Sequence, residues 1–456
     1  MRWLLAVLTL LLVGCPDPPA ALDFVPMDAG ISPPETVQER AEAAGGTDAT
    51  DTSQPADAAT PPDIAVALET TEPDVGGPTH PLGIIDVTPG VPGSALRGVE
   101  LQSDIHGLDL SGVQVLPDGD VIPVGIAFGP QIWVGRVSPQ GEVRDSKTLG
   151  EGGAYPHDLT TLTDGRLLAV GHEDGHGFLI ELSTEGTGLQ VLSERRFLEA
   201  ESSVLRHVSP TDDGGAIAVG RYVEHPEPGK QKRSWWLIKL GSDLEVEWQQ
   251  LFEGTAASHV RPDNLGGYVS VGFRTFDSTS GDAAWLIRTD PDGVMVANRE
   301  FLDTPLPDRA IAVSPLGADF LAIGSTTTLP DENRQAFAMR VSSEGTPQSS
   351  PVLLGGADRD ALDTLIAVDD GWLAFGHRDH DPANPYGRGW IVHLDSELNP
   401  TEYAMLSGEG SRLMSVARAG SDGSLVIAGS IGTAGGGQRG LLVFTGPEAR
   451  LLESSR

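Results

Sequence analysis

The chain holds a single cysteine, Cys15, so no intrachain disulfide can form and the fold must rest on its core. At 456 residues it is long enough to bury a sizeable one. Crossing a bilayer as a helix takes about 20 apolar residues, and the largely apolar run at 3–13 has only 11. Basic residues are scarce, 30 Lys and Arg against 65 Asp and Glu, for a net charge of −35. A surface this acidic repels nucleic acid and anionic headgroups, and cationic partners or divalent ions suit it better. The string G-x-S-x-G is absent as well, which removes one common nucleophile. No cofactor is implied.

Glycine, by contrast, is abundant and periodic. Seven short apolar strands (VIPVG, LLAVG, AIAVG, YVSVG, FLAIG, WLAFG and LVIAG) close on Gly125, Gly171, Gly220, Gly272, Gly324, Gly376 and Gly429. The steps between them are 46, 49, 52, 52, 52 and 53 residues. That period, built from short strands and turn residues, is the signature of a β-propeller blade. The expected fold is all-β, a seven-bladed β-propeller of four-stranded blades.

In the third repeat, strand a is expected over 204–209, b over 216–220, c over 235–240 and d over 245–252. An aromatic residue opens strand c at Trp133, Phe178, Trp235, Trp285, Phe337 and Trp390, and the last repeat departs from this with Leu441. Asp-Gly recurs between strands a and b at Asp118-Gly119, Asp164-Gly165, Asp213-Gly214, Asp370-Gly371 and Asp422-Gly423. The pair tolerates positive φ and favours tight hairpin turns, whereas one Asp per turn offers too few ligands for calcium. These residues resemble the bacterial secreted-propeller repeat, in which an Asp-Gly-Gly turn, a glycine-ended strand and a Trp-Leu-Ile-Lys strand recur. The resemblance covers about residues 95–456. It implies a fold and leaves the ligand open. Two segments, 95–102 and 449–454, read as an extra strand d, and the ring is expected to close with one of them.

The N-terminus reads differently. Arg2 precedes the apolar run, which suits a secretory signal peptide. The run ends in Leu12-Val13-Gly14-Cys15, which resembles the lipobox of bacterial lipoproteins. That resemblance implies a signal peptide at 1–14, cleavage before Cys15 and lipidation of its sulfur, hence an exported, membrane-anchored protein, periplasmic or on the cell surface. Residues 15–93 are rich in Pro, Ala, Asp and Thr; between 16 and 90 there are 14 acidic residues and one basic residue, Arg40. Such a segment cannot offset its chain entropy by burial and is expected to be a disordered tether. The propeller is expected over 94–456. Between 91 and 456 there remain 51 acidic and 28 basic residues, a net of −23.

Several strings match catalytic motifs by letter only. His172-Glu173-Asp174-Gly175-His176 matches H-E-x-x-H, but zinc chemistry needs that string on a helix, and here it follows strand b as a hairpin. Gly435, Gly437 and Gly440 match G-x-G-x-x-G with no helix to follow. His377-Arg378-Asp379 matches a kinase triplet without the rest of a kinase. His377, Asp379, His380 and Asp381, with Tyr386 nearby, are dense enough to bind a metal, yet in an acidic exposed loop solvation is the expected role. The b–c connections also vary in length, short at 173–177 and long at 221–234, 325–335 and 377–389. Variation of this kind collects where repeat folds meet partners, and Lys230, Lys232 and Arg233 form a basic spot there.

The reading predicts a lipid-anchored, exported propeller, monomeric, acting as a binding or scaffold module toward an envelope protein or glycan. One alternative is a glycan hydrolase or lyase with two channel carboxylates about 5–10 Å apart. The other is a structural component of envelope assembly. No catalytic, cofactor or metal residue is assigned; Cys15 is the one expected modification site.

Overall fold

In a computed structural model, the structure describes residues 83–85, 96–101 and 107–446, short stretches within the last range excepted. The expected signal peptide, Cys15, most of the expected tether and the segment 449–454 lie outside the described residues.

Each repeat folds as an antiparallel sheet with strands a to d side by side, in chain order in the first six blades, and seven such sheets make a seven-bladed β-propeller. Strand a is Leu108–Val115 in blade 1, Ala154–Thr161 in blade 2, Ser202–Pro210 in blade 3 and Ala256–Pro262 in blade 4. It is Asp308–Leu316, Arg359–Val368 and Arg412–Arg418 in blades 5 to 7. These innermost strands adjoin one another in order, and that of blade 7 adjoins that of blade 1, so the ring is closed.

Of the two segments competing to close the ring, the N-terminal one holds the position. Leu96–Leu101 pairs antiparallel with Gln438–Thr445, strand c of blade 7, as its outermost strand. Arg439 bonds Glu100 at 2.6 Å across this clasp, and Arg97 lies over the Phe444 ring. One part of the expected tether is structured instead. Gly83–Ile85 runs parallel to Pro400–Leu406 and adds a fifth strand to blade 6. The outer edge of that blade otherwise presents unpaired backbone groups, and β-branched Ile84 and Ile85 suit the pairing.

The core is divided among seven apolar clusters, one for each interface between adjacent blades. Strands b and c are covered on both faces, which is why they read as unbroken apolar runs. Leu167–Glu173, strand b of blade 2, is buried along its whole length, whereas its strand d, Gln190–Arg196, is almost entirely exposed.

The periodic glycines have a common cause. In every blade, strand a carries a β-bulge opposite the end of strand b. The bulge drives a strand-a carbonyl against the closing glycine, and a Cβ there would lie 1.8–2.2 Å from that oxygen in all seven blades. On its other side the glycine faces the strand-c aromatic, as in Gly125 against Trp133 and Gly376 against Trp390; in blade 3 the partner is Trp236.

At the a–b turns only the glycine takes positive φ, 84° at Gly119 and 88° at Gly214. The aspartate side chain accepts the N–H two residues on, at 3.0 Å in Asp118, Asp164 and Asp213. Asp213 also bonds the buried Lys239 Nζ at 2.7 Å. Burial would raise its carboxyl, but Lys239, Thr211 and the Gly215 N–H hold it down at about 2. The aspartates therefore serve the turns, and no group of metal-ligating side chains occurs among the described residues.

Candidate functional site: the inner strands of blades 2 to 4

The bulges place one extra side chain per blade on the innermost strand, and bulges re-aim such side chains. Those residues are Ser111, His157, Arg206, Ser258, Ile311, Asp363 and Met414. The next residues along are Gly112, Asp158, His207, His259, Ala312, Thr364 and Ser415. Serine, isoleucine, methionine, glycine and alanine all fit these positions, so the fold does not demand a charged or ring nitrogen group. Blades 2 to 4 nevertheless concentrate them.

Two layers result. Toward the b–c end, His157 Nε2 lies 3.0 Å from His172 Nδ1, and Tyr155 stacks on the His172 ring with centroids 5.0 Å apart. Arg206 and Arg221 lie within electrostatic reach of His172. Next along the strand, Asp158 Oδ2 accepts the Val208 N–H at 3.0 Å and lies 3.4 Å from His207 Nε2. The His207 ring in turn packs on His259 with centroids 3.7 Å apart. Val260 N–H donates to His207 Nδ1 at 3.4 Å, which leaves the Nε2 proton of a neutral ring facing Asp158. Arg261, beside them, bonds Ser209 Oγ at 3.3 Å.

Enclosure by protein sets the titration here. Burial first, then Arg221 and Arg206, lower His172 to about 4. Burial, then His172 and Arg206, push His157 well down. His207 and His259 are held low by burial and by Arg261, with His207 adding to the effect on His259. Asp158 is raised to about 7, because burial outweighs its two backbone N–H bonds and Arg261. All four imidazoles are therefore neutral at pH 7, next to a carboxyl poised to exchange a proton.

The motif residues fall into place around this arc. His172 and Glu173 end strand b, Asp174 and Gly175 form a two-residue turn with φ 49° and 83°, and His176 opens strand c. H-E-x-x-H thus sits on a hairpin, as expected, although His172 itself belongs to the cluster. Gly437 and Gly440 flank the start of strand c of blade 7, with a strand on either side; Gly435 lies outside the described residues. Strand b of blade 6, Gly371–His380, carries His377, whose Nδ1 lies 3.2 Å from Asp363 Oδ2. Asp381 and Tyr386 lie outside the described residues.

The long b–c connection of blade 3 is mostly strand, since b spans Ala216–Glu227 and c spans Lys230–Leu240. Its basic spot is balanced locally: Lys230 bonds Glu227 at 2.7 Å and Lys232 bonds Glu224 at 3.3 Å. The b–c backbone ladder continues through that connection as a hairpin, with a glutamate facing each of the two lysines. His157, Arg206, His207, His259 and Arg261 were not legible as a site in the sequence. Their signal is an offset: fourteen residues before Gly171 and Gly220 stand His157 and Arg206.

The fold makes the chain a seven-bladed β-propeller module. No protein-family model matches it, and no curated protein matches its sequence. Among solved structures it is similar to virginiamycin B lyase from Staphylococcus aureus, with 11% identity and TM-score 0.49, covering 76% of this chain and 98% of that one. It is also similar to a protein of unknown function from Dyadobacter fermentans, with 12% identity and TM-score 0.46, covering 78% and 99%. A third is the C-terminal WD40 domain of Sif2, with 12% identity and TM-score 0.43, covering 76% and 99%. At these identities the likeness says nothing about a ligand.

Proposed function

We propose that this chain is an exported bacterial lipoprotein, anchored through Cys15, whose propeller captures a ligand at the mouth of its central channel on blades 2 to 4. It acts as a binding module of the cell envelope. One observation carries the capture site: polar and ionisable side chains crowd the inner-strand positions of blades 2 to 4, where blades 1, 5 and 7 carry Ser111, Gly112, Ile311, Ala312, Met414 and Ser415, and blade 6 carries Asp363 and Thr364. Burying such groups costs free energy, and concentrations of them with shifted titration mark candidate functional sites. The string Leu12-Val13-Gly14-Cys15 supports the anchor, and the acidic stretch that follows supports a tether.

The test is a photo-crosslinking residue placed at Tyr155, with Val294 on the outer surface as control, in the full chain in intact cells, read by mass spectrometry. Adducts at 155, absent at 294 and weakened by Cys15→Ser, are expected. No adduct at 155 would overturn the capture site; equal adducts in Cys15→Ser would overturn the anchor. A second reading, a hydrolase or lyase, is favoured by Asp158, with its pKa about 7, beside His207. Turnover of the captured ligand that Asp158→Asn abolishes would support it, and capture without turnover would leave the binding module.

A further inference from the structure

We propose that the b–c end of the interface between blades 5 and 6 is a docking surface for an acidic protein segment, an extended stretch of aspartate and glutamate received by Arg334, Arg359 and Arg388. It shares no residue with the channel mouth of blades 2 to 4.

Strand alternation brings the arginines together. In strand c of blade 5, Asn333–Val341, Arg334 falls on the same face as Ala336 and Ala338. Those alanines belong to the apolar cluster that includes Trp390 of blade 6. In blade 6, Arg388 opens strand c, Arg388–Asp395, directly opposite Arg378 of strand b, and both fall on the face of Trp390. The Arg378 guanidinium lies 5.7 Å from the Trp390 ring centroid. A Cβ on Gly356 would lie 3.2 Å from Arg378 Nη2, and Gln335, next to Arg334, donates to the Gly356 carbonyl at 3.3 Å. Arg359, exposed, opens strand a of blade 6 and lies within electrostatic reach of Arg334. Four guanidiniums from two blades therefore gather at one end of one interface. That is the end where both blades carry long b–c connections, and Arg334, Arg378 and Arg388 belong to them.

Their charge is poorly matched within the fold. Arg309, nearby, is engaged by Asp282 at 2.6 Å, and Arg378 has its ring contact and further interactions, so neither is counted as available. Arg334, Arg359 and Arg388 make no hydrogen bond or ion pair among the described residues. Half-buried Arg334 has its basicity lowered by burial, then by Arg309 and Arg359, and the one opposing carboxylate is Asp282, already bonded to Arg309. Arg378 opposite Arg388 is a like-charge cross-strand pair, which costs stability. Carboxylates of a partner would offset these charges, since a guanidinium presents its donors as a fork that matches them. Because residues 91–456 carry a net charge of −23, a dense polyanion such as nucleic acid meets repulsion beyond this surface. A short acidic segment ends within it.

The experiment is fluorescence anisotropy of a labelled hexaglutamate peptide titrated with the full chain in detergent, at about 50 mM and about 500 mM salt. Hexalysine and an oligothymidylate of the same length are the comparison probes. Hexaglutamate should bind, hexalysine should not, and the higher salt should weaken binding roughly tenfold. Arg334→Gln and Arg388→Gln should each weaken it about tenfold. Arg233→Gln, on the blade 3 hairpin, removes the same charge elsewhere and should leave it within about twofold. The melting temperature of Arg334→Gln should hold or rise, since no bond is lost. If it falls, exposed Arg359→Glu decides, and unchanged binding in that variant overturns the proposal. No binding of hexaglutamate, equal binding of hexalysine, or losses at 334 and 388 no larger than at 233 would also overturn it. Tighter binding of the oligothymidylate would overturn the choice of a protein segment as the partner.

Discussion

Two aspartates on inner strands of opposite arcs show how one scaffold sets two electrostatic outcomes. Asp158 in blade 2 and Asp363 in blade 6 sit at the bulge of strand a, one residue out of step, and both are enclosed by protein. Burial wins at Asp158, where a neutral His207, two backbone N–H groups and Arg261 leave the carboxyl at about 7. It loses at Asp363, where the His377 hydrogen bond and charge, with Arg412, hold the carboxyl below its ordinary value. The residue after the closing glycine meets a different partner in each arc. In blade 6 it is His377, aimed at a carboxylate; in blade 2 it is His172, aimed at another imidazole, His157. In one arc a histidine and an arginine lie against the buried carboxylate, and in the other a carboxyl, four imidazoles and Arg261 share one enclosed stretch of the inner strands.

Both arcs hang on the same bulge, so the largest effect should come from breaking it. Gly171→Ala and Gly376→Ala each place a Cβ 2.1 Å from a strand-a carbonyl oxygen, of Tyr155 and Ala361 respectively. Each should cost about 3 kcal/mol or more, since backbone has to move. Denaturant unfolding checks this, and a loss below about 1 kcal/mol in either blade would show that the bulge can relax.

The arcs should then separate. His377→Ala removes the partner of a buried carboxylate and should cost about 2 kcal/mol at neutral pH, allowing for partial exposure. His172→Ala removes ring stacking and the hydrogen bond to His157 but no counter-charge, and about 1 kcal/mol is expected. Equal losses in the two variants would erase the contrast.

The smallest and most diagnostic effects lie in pH. The unfolded chain protonates its histidines near 6.5, whereas His157, His172, His207 and His259 resist protonation in the fold. Stability should therefore be full above about pH 6.5 and fall as pH drops toward 4, by up to about 1.4 kcal/mol per pH unit for each histidine. Asp158 runs the opposite way. Its raised value contributes stability below the ordinary carboxylate range that is lost as pH rises through about 7. Asp158→Asn should thus stabilise the protein at about pH 8 and change little at about pH 4, as melting curves across that range would reveal. A variant equally affected at both ends would mean that Asp158 is charged throughout.

Much of the fold was legible because each blade repeats the same demands. The closing glycine recurs in all seven blades, with a facing aromatic in six and an Asp-Gly turn in five, so the spacing of Gly125 to Gly429 announces seven blades. The site was not legible because it consists of departures from the repeat, and His157, His207 and His259 are far apart in the chain. His172 and His377 stand out in the sequence only with their chain neighbours. Their partners, His157 and Asp363, come from the preceding strand through a bulge.

The sequence by itself determined the blade number, the strand order, the acidity of the domain and the glycine positions, since these follow from local sterics and composition. Only the tertiary structure decided which segment clasps the ring, that Gly83–Ile85 joins blade 6, and that the blade 3 hairpin neutralises its own lysines. It also decided which ionisable groups meet at the channel. Those outcomes depend on pairings between residues dozens of positions apart, and on how much water the closed ring leaves around each charge.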